Sequence, residues 1–414
     1  MGRTVLVDDL RAVHERAAPW PYAELDVAAL RAAGHSAVPF REMVLKVHQR
    51  CNLACDYCYV YELADQSWRD RPRIMPDRVR TAALTRFADH ARRHGLSRVR
   101  IVLHGGEPLL YGSARLAALV AEARTAFGEG CEVEFGMQTN GVLLDEPVVA
   151  MLVEQGIAAG VSVDGTAADH DRHRRTRGGL GSFAAVARGL DLLRRPENGA
   201  AYAGLLCTVA ADTDPIACYE QLLSFDPPSI DLLLPHANWQ NPPARPGAAA
   251  APHADWLIAF FDRWHADGAT TRVRLFDNTI SLVLGGASRS EQVGLSPSGV
   301  VVVESDGAIE QVDALKSAYQ GASATGLSVL RDDLDAALDD PGIVARQIGK
   351  AALSDECRAC PAVDFCGGGH YAHRYRPGVG FRAPSVYCAD LRVFIRHVYD
   401  RVAADLSERP GSTT

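Results

Sequence analysis

Six short apolar runs, separated by amphipathic stretches, limit what this chain can fold into more than any other feature of its sequence. The runs lie near 43–47, 99–103, 132–137, 158–163, 203–209 and 230–234. Helical periodicity falls near 77–94, 114–127, 145–155, 182–194 and 215–224. Strands joined through helices pair in parallel, so the pattern reads as repeated βαβ units and an α/β fold. Six strands suggest a partial (β/α)6 barrel, although spacing alone also permits an open doubly wound sheet. In both, ligands gather at the C-terminal ends of the strands.

The first such end carries Cys51-Asn-Leu-Ala-Cys55-Asp-Tyr-Cys58, a C-x3-C-x2-C loop after Met43-Val-Leu-Lys-Val47. A loop this tight can wrap three thiolates around one face of a metal cluster and leave the fourth metal without a cysteine. Iron-sulfur clusters take thiolate ligands, and three-cysteine ligation leaves a vertex open to substrate. Structural zinc sites pair C-x2-C or C-x4-C with a second ligand pair, and none lies nearby. Chance clustering of buried cysteines fits poorly with the Asn and Asp between the thiols.

The chain has 414 residues, 47% hydrophobic and 23% charged, enough for one large domain and a smaller one. A net charge of −8, from 51 acids against 43 bases, offers no basic excess to neutralise phosphates and argues against nucleic acid. No apolar run reaches membrane-spanning length, and Met1 to Asp9 carry no signal-peptide core, which points to a cytoplasmic protein. Ten cysteines in such a chain favour metal binding over disulfides.

Later strand ends carry further motifs. His104-Gly105-Gly106-Glu107-Pro108 follows the second strand, with glycines that let backbone approach a ligand and an acid suited to an ammonium group. Gln138-Thr-Asn140-Gly141 ends the third, where Asn140 can hydrogen-bond a ligand, and Ser162-Val-Asp164-Gly165 ends the fourth. Asp164 also suits a plain Asx turn. His170-Asp-Arg-His-Arg174-Arg175 reads first as a solvated charged face. Cys131, Cys207 and Cys218 lack partner spacing and read as buried small hydrophobes.

The cysteine loop resembles the hallmark C-x3-C-x-aromatic-C of the radical S-adenosylmethionine (radical SAM) enzymes, with Tyr57 in the aromatic place. The resemblance implies a partial (β/α)6 barrel and a 4Fe-4S cluster on Cys51, Cys55 and Cys58 whose open iron chelates SAM. It further implies that Gly105, Gly106 and Glu107 meet the SAM amine. Asn140, Ser162 and Asp164 would then face the same ligand, and Arg174 would pair with a carboxylate of SAM or substrate.

Past the barrel, Asn241 to Pro252 reads as a Pro/Ala linker or exposed loop, followed by a helix from Asp255 to Asp267. Pro297 to Asp313 reads as a β-hairpin with a Ser-Asp-Gly turn. Cys357-x2-Cys360-x5-Cys366 and the distant Cys388 supply four thiols, which a zinc knuckle could also use. The segment resembles the C-terminal half of the SPASM domain, C-x2-C-x5-C-x3-C plus a distant cysteine. That implies one auxiliary 4Fe-4S cluster on Cys357, Cys360, Cys366 and Cys388. His370 stands at the x3 cysteine, and no cysteine lies between Cys218 and Cys357, so the second auxiliary cluster is not expected. Relatives read G-x4-C-D at the hairpin, where this chain has Gly307, Val312 and Asp313. Asp313 is thereby the candidate catalytic general base, against the plain reading of a turn acid.

Val47-His-Gln-Arg-Cys51, Cys55 to Tyr61, Gln66-Ser-Trp68 and Cys366 to Tyr375 resemble the FxsB-type radical SAM/SPASM peptide maturases, many of which form cyclophanes. The expected organisation is an N-terminal helical extension (1–40, with helices Val7 to Ala17 and Ala23 to Ala33), the barrel (41–250), a bridging helix (251–275), a SPASM-like α+β domain (276–400) and a tail (401–414). The implied substrate is a ribosomal precursor peptide, crosslinked between an aromatic ring carbon and a nearby Cβ. A reductase or flavodoxin-type electron donor is implied as well. The extension is too short for a leader-binding winged helix, so leader recognition is expected to use another surface or a separate leader-recognition protein. Thioether formation, epimerisation and formylglycine formation share the first half-reaction and stay open. Alternatives of other classes are an iron-sulfur electron carrier or sensor and a zinc-stabilised peptide-binding module.

Overall fold

Six parallel strands run side by side in chain order: β1 (Glu42–His48), β2 (Arg98–Gly105), β3 (Glu132–Thr139), β4 (Ile157–Ser162), β5 (Tyr202–Thr208) and β6 (Ser229–Leu233). They are seen in a computed structural model that describes residues 7–247 and 249–408. Residues 1–6 of the expected extension, 409–414 of the expected tail, and 248 within the Pro/Ala stretch lie outside the described residues.

Local rules place these elements. On β1, Met43, Leu45 and Val47 are fully buried. The helix Asp77–Arg93 turns Val79, Ala83, Leu84, Phe87, Ala88 and Ala91 inward at helical spacing. Each such large apolar side chain stabilises the fold by about 1.5–3 kcal/mol. The helix Glu146–Gln155 starts where the Asp145 side chain accepts from Val148 N at 2.9 Å and stops at Gly156, φ +66°. Cys131, Cys207 and Cys218 are buried, as expected for small hydrophobes.

The sheet stays open and grows on both sides. β7 (Arg272–Val273) adds to β6. On the other edge β8 (Val300–Val303) pairs in parallel with β1, Glu42 opposite Val300 and Leu45 opposite Val303. β9 (Ala308–Glu310) and β10 (Ala324–Ser328) follow antiparallel, giving the order β10-β9-β8-β1-β2-β3-β4-β5-β6-β7. The hairpin read at 297–313 is therefore present, with Gly307 at φ +92° in its turn. Its strands continue the barrel sheet, so the expected boundary at 276 divides the sequence without dividing the sheet.

The helix Pro252–Ala266 packs against Cys388–Glu408, with the Phe261 and Phe394 rings meeting edge-on at 6.4 Å. That last helix runs through positions 401–408, which were expected to be tail. At the N-terminus, Val7–Ala17 is helical as expected, and the second helix is shorter than read, Val27–Ala32. This extension docks on the C-terminal part: His14 Nε2 lies 2.8 Å from Gly321 O, and Phe381 N donates to Trp20 O at 3.2 Å. Among the described residues no helix is long and apolar enough to cross a membrane.

Candidate active site

The cysteine loop leaves the end of β1 and opens on a cavity of about 500 Å³. Cys51, Cys55 and Cys58 line it together with Tyr57, Gly105, Gly106, Asn140, Ser162 and Arg174, so most of the residues expected to hold SAM are brought to one wall. Burial pushes the Cys51 thiol up to about 11 and Cys55 up to about 12. Without a cation, three thiolates here would be costly. Cys51 Sγ nonetheless accepts from Leu53 N at 3.4 Å and Asn140 Nδ2 at 3.5 Å, donors that suit a thiolate. Buried thiols with N–H donors aimed at sulfur fit ligation of iron, which supplies the missing positive charge.

Gly105 and Gly106 do more than admit a ligand. A Cβ on Gly105 would meet His48 O at 2.2 Å, and one on Gly106 would meet the Tyr61 hydroxyl at 2.0 Å and the Arg50 carbonyl at 2.5 Å. Their absence of side chains presses the β2 turn against the start of the cysteine loop. Glu107 turns inward, fully buried, and accepts from Leu109 N (3.0 Å), Thr139 Oγ1 (2.7 Å) and Asn140 N (2.8 Å). It thus fixes Asn140, whose Nδ2 donates to Asn52 Oδ1 at 2.7 Å within the loop. The motif's acid is a brace between β2, β3 and the cysteines.

Burial outweighs those three donors and raises the Glu107 carboxyl from 4.5 to about 7. A carboxyl raised on folding stabilises the native state fully below its unfolded value and loses that contribution as pH rises through the folded value. Unfolding free energy of the SAM-free chain should fall by on the order of 3 kcal/mol between pH 5 and pH 8 from this group. Urea unfolding of Glu107→Gln should lose that slope, and should cost about 1–3 kcal/mol at pH 5 because the amide turns an N–H₂ toward a donor. An unchanged slope in the variant would refute the assignment.

Asp164, Arg174 and Tyr57 form one unit. Arg174 Nε donates to Asp164 Oδ2 at 2.7 Å, Thr208 N donates to Asp164 Oδ1 at 3.0 Å, and the Tyr57 hydroxyl donates to the same carboxylate. Despite burial, Arg174 and these donors hold the Asp164 carboxyl below its usual range. Arg174, expected to meet a carboxylate of SAM or substrate, is already paired inside the protein and stacks over the Tyr57 ring at 5.5 Å. Its neighbours are pinned too: His170 is buried and reaches Ser182 Oγ at 2.9 Å, and His173 meets Asp56 at 2.9 Å. The run is a buckle across the cavity more than a solvated face.

Asp313 sits in a buried charge cluster that the sequence reading did not anticipate. It pairs with Lys46, its Oδ1 lies 3.5 Å from Lys316 Nζ, and the Tyr59 hydroxyl donates to Oδ2 at 3.4 Å. Glu304 pairs with Lys316 and with Arg71 at 2.7 Å, and Glu310 with Arg71 and with Lys316 at 3.2 Å. The buried carboxylates Glu304, Glu310 and Asp313 thus face the cations Lys46, Lys316 and Arg71, with the more exposed Asp306 beside Arg71 at 3.5 Å. Lys46 and Lys316 hold the Asp313 carboxyl far below its usual range. Lys46 also reaches His104 Nδ1 at 3.1 Å, and burial pushes that imidazole down to about 4. The available signal was a lysine inside the apolar run 43–47 and a glutamate ending Val300 to Val303.

Cys357, Cys360, Cys366 and Cys388 come together around a separate cavity of about 200 Å³. Burial pushes Cys366 up to about 11. Gly367, Gly368 and Gly369 all take positive φ (60°, 81° and 69°), and a Cβ on Gly367 would meet Gly294 O at 1.7 Å. Arg374 locks this turn by donating to the carbonyls of Gly367 (2.7 Å), Gly368 (3.1 Å) and Gly369 (2.7 Å). Four thiols in one pocket fit a closed auxiliary cluster. His370 and Val312, the two departures from the SPASM pattern, line a third cavity together.

Of the two readings of the Asn241 to Pro252 stretch, linker or exposed loop, its first residues form an exposed loop, and that loop is part of the site. Asn241, Pro242 and Pro243 line the cysteine cavity, and Ala244, Arg245 and Pro246 line an adjoining cavity of about 460 Å³. Arg245 Nη2 anchors it to Asp390 at 3.0 Å.

Residues 45–196 match the Radical SAM superfamily family model. The chain is 24% identical over 376 residues to a cysteine-type anaerobic sulfatase-maturating enzyme of Clostridium perfringens, covering 88% of this chain and 97% of the relative. It is 34% identical over 179 residues to a serine-type anaerobic sulfatase-maturating enzyme of Klebsiella aerogenes, covering 41% of this chain and 42% of the relative. Its fold is similar to native anSMEcpe with bound AdoMet (TM-score 0.74, 22% identity, 89% of this chain and 99% of that one). It is also similar to Streptococcus suis SuiB bound to precursor peptide SuiA (TM-score 0.56, 16% identity, 87% and 78%). That match covers the strands that carry the three-cysteine loop, and the chain is a radical SAM enzyme that works with S-adenosylmethionine and 4Fe-4S iron.

Proposed function

We propose that this enzyme oxidises a side-chain carbon of a ribosomally made peptide, converting a cysteine or serine to formylglycine. The observation that carries the peptide reading is the pair of adjoining cavities, about 500 and 460 Å³, which share Asp56, Tyr57, Thr208 and Pro235 as walls. Each is of the size that encloses one ligand, so SAM in the cysteine cavity leaves the other for a peptide segment. The end-to-end similarity to a sulfatase-maturating enzyme favours the aldehyde product.

Bound SAM supplies a 5'-deoxyadenosyl radical that takes a hydrogen atom. The chain's own residues do the rest. Cys51, Cys55 and Cys58 hold the cluster, and Glu107 fixes Asn140 against their loop. Tyr57, Asp164 and Arg174 fix the wall between the two cavities. Tyr59 lines the SAM cavity and donates to Asp313, so a proton leaving the substrate passes through that hydroxyl to Asp313, which its pairing with Lys46 and Lys316 makes a weak base that accepts the proton only in transit. Cys357, Cys360, Cys366 and Cys388 would hold an auxiliary cluster, which would supply an electron acceptor. A low-potential donor of the flavodoxin class supplies the first electron, and a separate protein presents the leader.

Crosslinking of an aromatic ring carbon to a nearby Cβ is the second reading, favoured by the departures at Val312 and His370 and by the Cys366 to Tyr375 segment. Co-expression with a neighbouring small peptide, hydrazide capture and mass mapping separate the two. Formylglycine gives a hydrazide-reactive residue, with two hydrogens lost at serine or the thiol replaced by a carbonyl at cysteine. A crosslink loses two hydrogens at an aromatic segment without hydrazide capture. Unchanged peptide mass alongside 5'-deoxyadenosine release would rule out both oxidations and point to epimerisation.

A further inference from the structure

Oxidation of a peptide side chain releases a proton, and Asp313, paired with Lys46 and close to Lys316, holds it only in passing. SAM and a peptide together fill the two cavities at the strand ends and expel their water. The proton therefore needs another way out.

A third cavity, of about 450 Å³, lies beyond His236, which lines both it and the cysteine cavity. Val312, next to Asp313, lines it too. The cavity reaches Glu42 and Arg100 near the starts of β1 and β2, away from the SAM end of the sheet, and Arg100, Arg289 and Pro297 on its walls are exposed to solvent.

Three histidines lead into this space. The His236 ring meets Tyr59 edge-on, with centroids 4.7 Å apart. From His236 the rings of His370 and His373, which also line the cavity, are 6.1 and 6.2 Å away, and those two are 5.0 Å apart. His236 Nδ1, His370 Nδ1 and His373 Nε2 are buried without a hydrogen-bond partner. One orphan of this kind is uncommon in a protein interior, and three around one cavity call for a shared partner. Water is such a partner, since the space is polar and roomy enough to hold it. Burial pushes His236 down to about 3 and His370 to about 4, and His373 goes down as well, so each ring is neutral, with one N–H and one lone pair. Asp313 is held lower still, so a proton passes downhill from it to the rings.

We propose that His236, His370 and His373, bridged by water, carry the substrate proton from Asp313 to solvent through the third cavity. Each ring takes a proton on its lone pair and releases the one on its other nitrogen. No electron moves in this step, and the buffer is the final acceptor. The proposal rests on the reading that the peptide is oxidised, and both oxidations considered above release a proton.

The test uses the full chain with its clusters reconstituted anaerobically and the neighbouring small peptide as substrate, and reads peptide product formed per 5'-deoxyadenosine released. His236→Phe fills the ring's place without a proton-carrying nitrogen and should lower that ratio at least about tenfold, with iron and sulfide as in wild type. His236→Ala should lower it as far, and free imidazole in the buffer should restore His236→Ala while His236→Phe stays low. His370→Ala should fall and be restored likewise, which keeps the test decisive if the His236 variants fold poorly. Variants that match the wild-type ratio would overturn the relay. So would losses in His236→Ala and His370→Ala that imidazole does not repair, because those mark a structural role. Wild-type peptide product of unchanged mass would instead overturn the oxidation reading, and the relay with it.

Discussion

Asp313→Asn should lower the unfolding free energy by about 3–5 kcal/mol, because it leaves a buried lysine without its counter-charge. Lys46 is 0% exposed and Asp313 9%, so water can do little to compensate. The loss should show as a lower urea midpoint under anaerobic conditions. Asp313→Asn combined with Lys46→Met removes both charges, and much of the stability should return. That recovery is the mark of a charge defect as opposed to a packing one. Asp313 itself should add no pH slope between pH 5 and pH 8. A depressed carboxyl contributes stability above its unfolded value near 3.9 and loses it only as pH falls through the lower folded value. Any slope in that window therefore belongs to other groups, Glu107 among them. Activity tests the proposed proton acceptor separately. Hydrogen abstraction precedes proton removal, so Asp313→Asn should still release 5'-deoxyadenosine while peptide product falls. A variant as stable as wild type would refute the charge cluster, and loss of both activities in step would refute the acceptor role.

Cys55→Ala should bring 5'-deoxyadenosine formation to the level of a reaction without enzyme, the largest functional effect available in this chain. Cys55 lies mid-loop, and the loop's own backbone is held in place, Ala54 N donating to Arg175 O at 2.8 Å. Removing the thiol therefore leaves two ligands that cannot slide to replace it. Iron and sulfide analysis should show one cluster fewer than in wild type, with the far four-cysteine site still loaded. Cys131→Ala, on the edge of the hydrophobic core and away from the cavity, should keep full SAM cleavage and both clusters. Liquid chromatography of the nucleoside product decides the matter. Wild-type cleavage by Cys55→Ala would remove the loop from the reaction.

The parallel order of β1 to β6 was legible because each strand is an apolar run and each helix a periodic one, and both signals are local. The cysteine groups and the Gly307 turn were legible for the same reason. Lys46 was visible as an odd residue in an apolar run, yet its partners Asp313 and Glu304 lie far along the chain, and no local pattern encodes such a pairing. Glu107 and Arg174 were singled out as partners of the SAM amine and of a carboxylate of SAM or substrate. The partners they meet inside the protein, Thr139 with the Asn140 amide and Asp164, come from neighbouring strand ends. Residues 241–246 read as a linker or exposed loop from their Pro and Ala content, and the loop is what forms; its role as cavity wall follows from an anchor at Asp390 that only the folded chain creates.

The pairing of β8 with β1 has a bearing on how this protein is made. Glu42 and Val300 are neighbours in the sheet but are separated by more than half the chain. A ribosome will have released the cysteine loop and every strand to β6 before β8 exists. Until then β1, with Met43, Leu45 and Val47, is an unpaired apolar edge, a template for association with other chains. Contacts of such sequence separation close slowly. Loading the first cluster during synthesis would therefore act on a half-built sheet, whose β1 edge is completed only when the last third of the chain arrives.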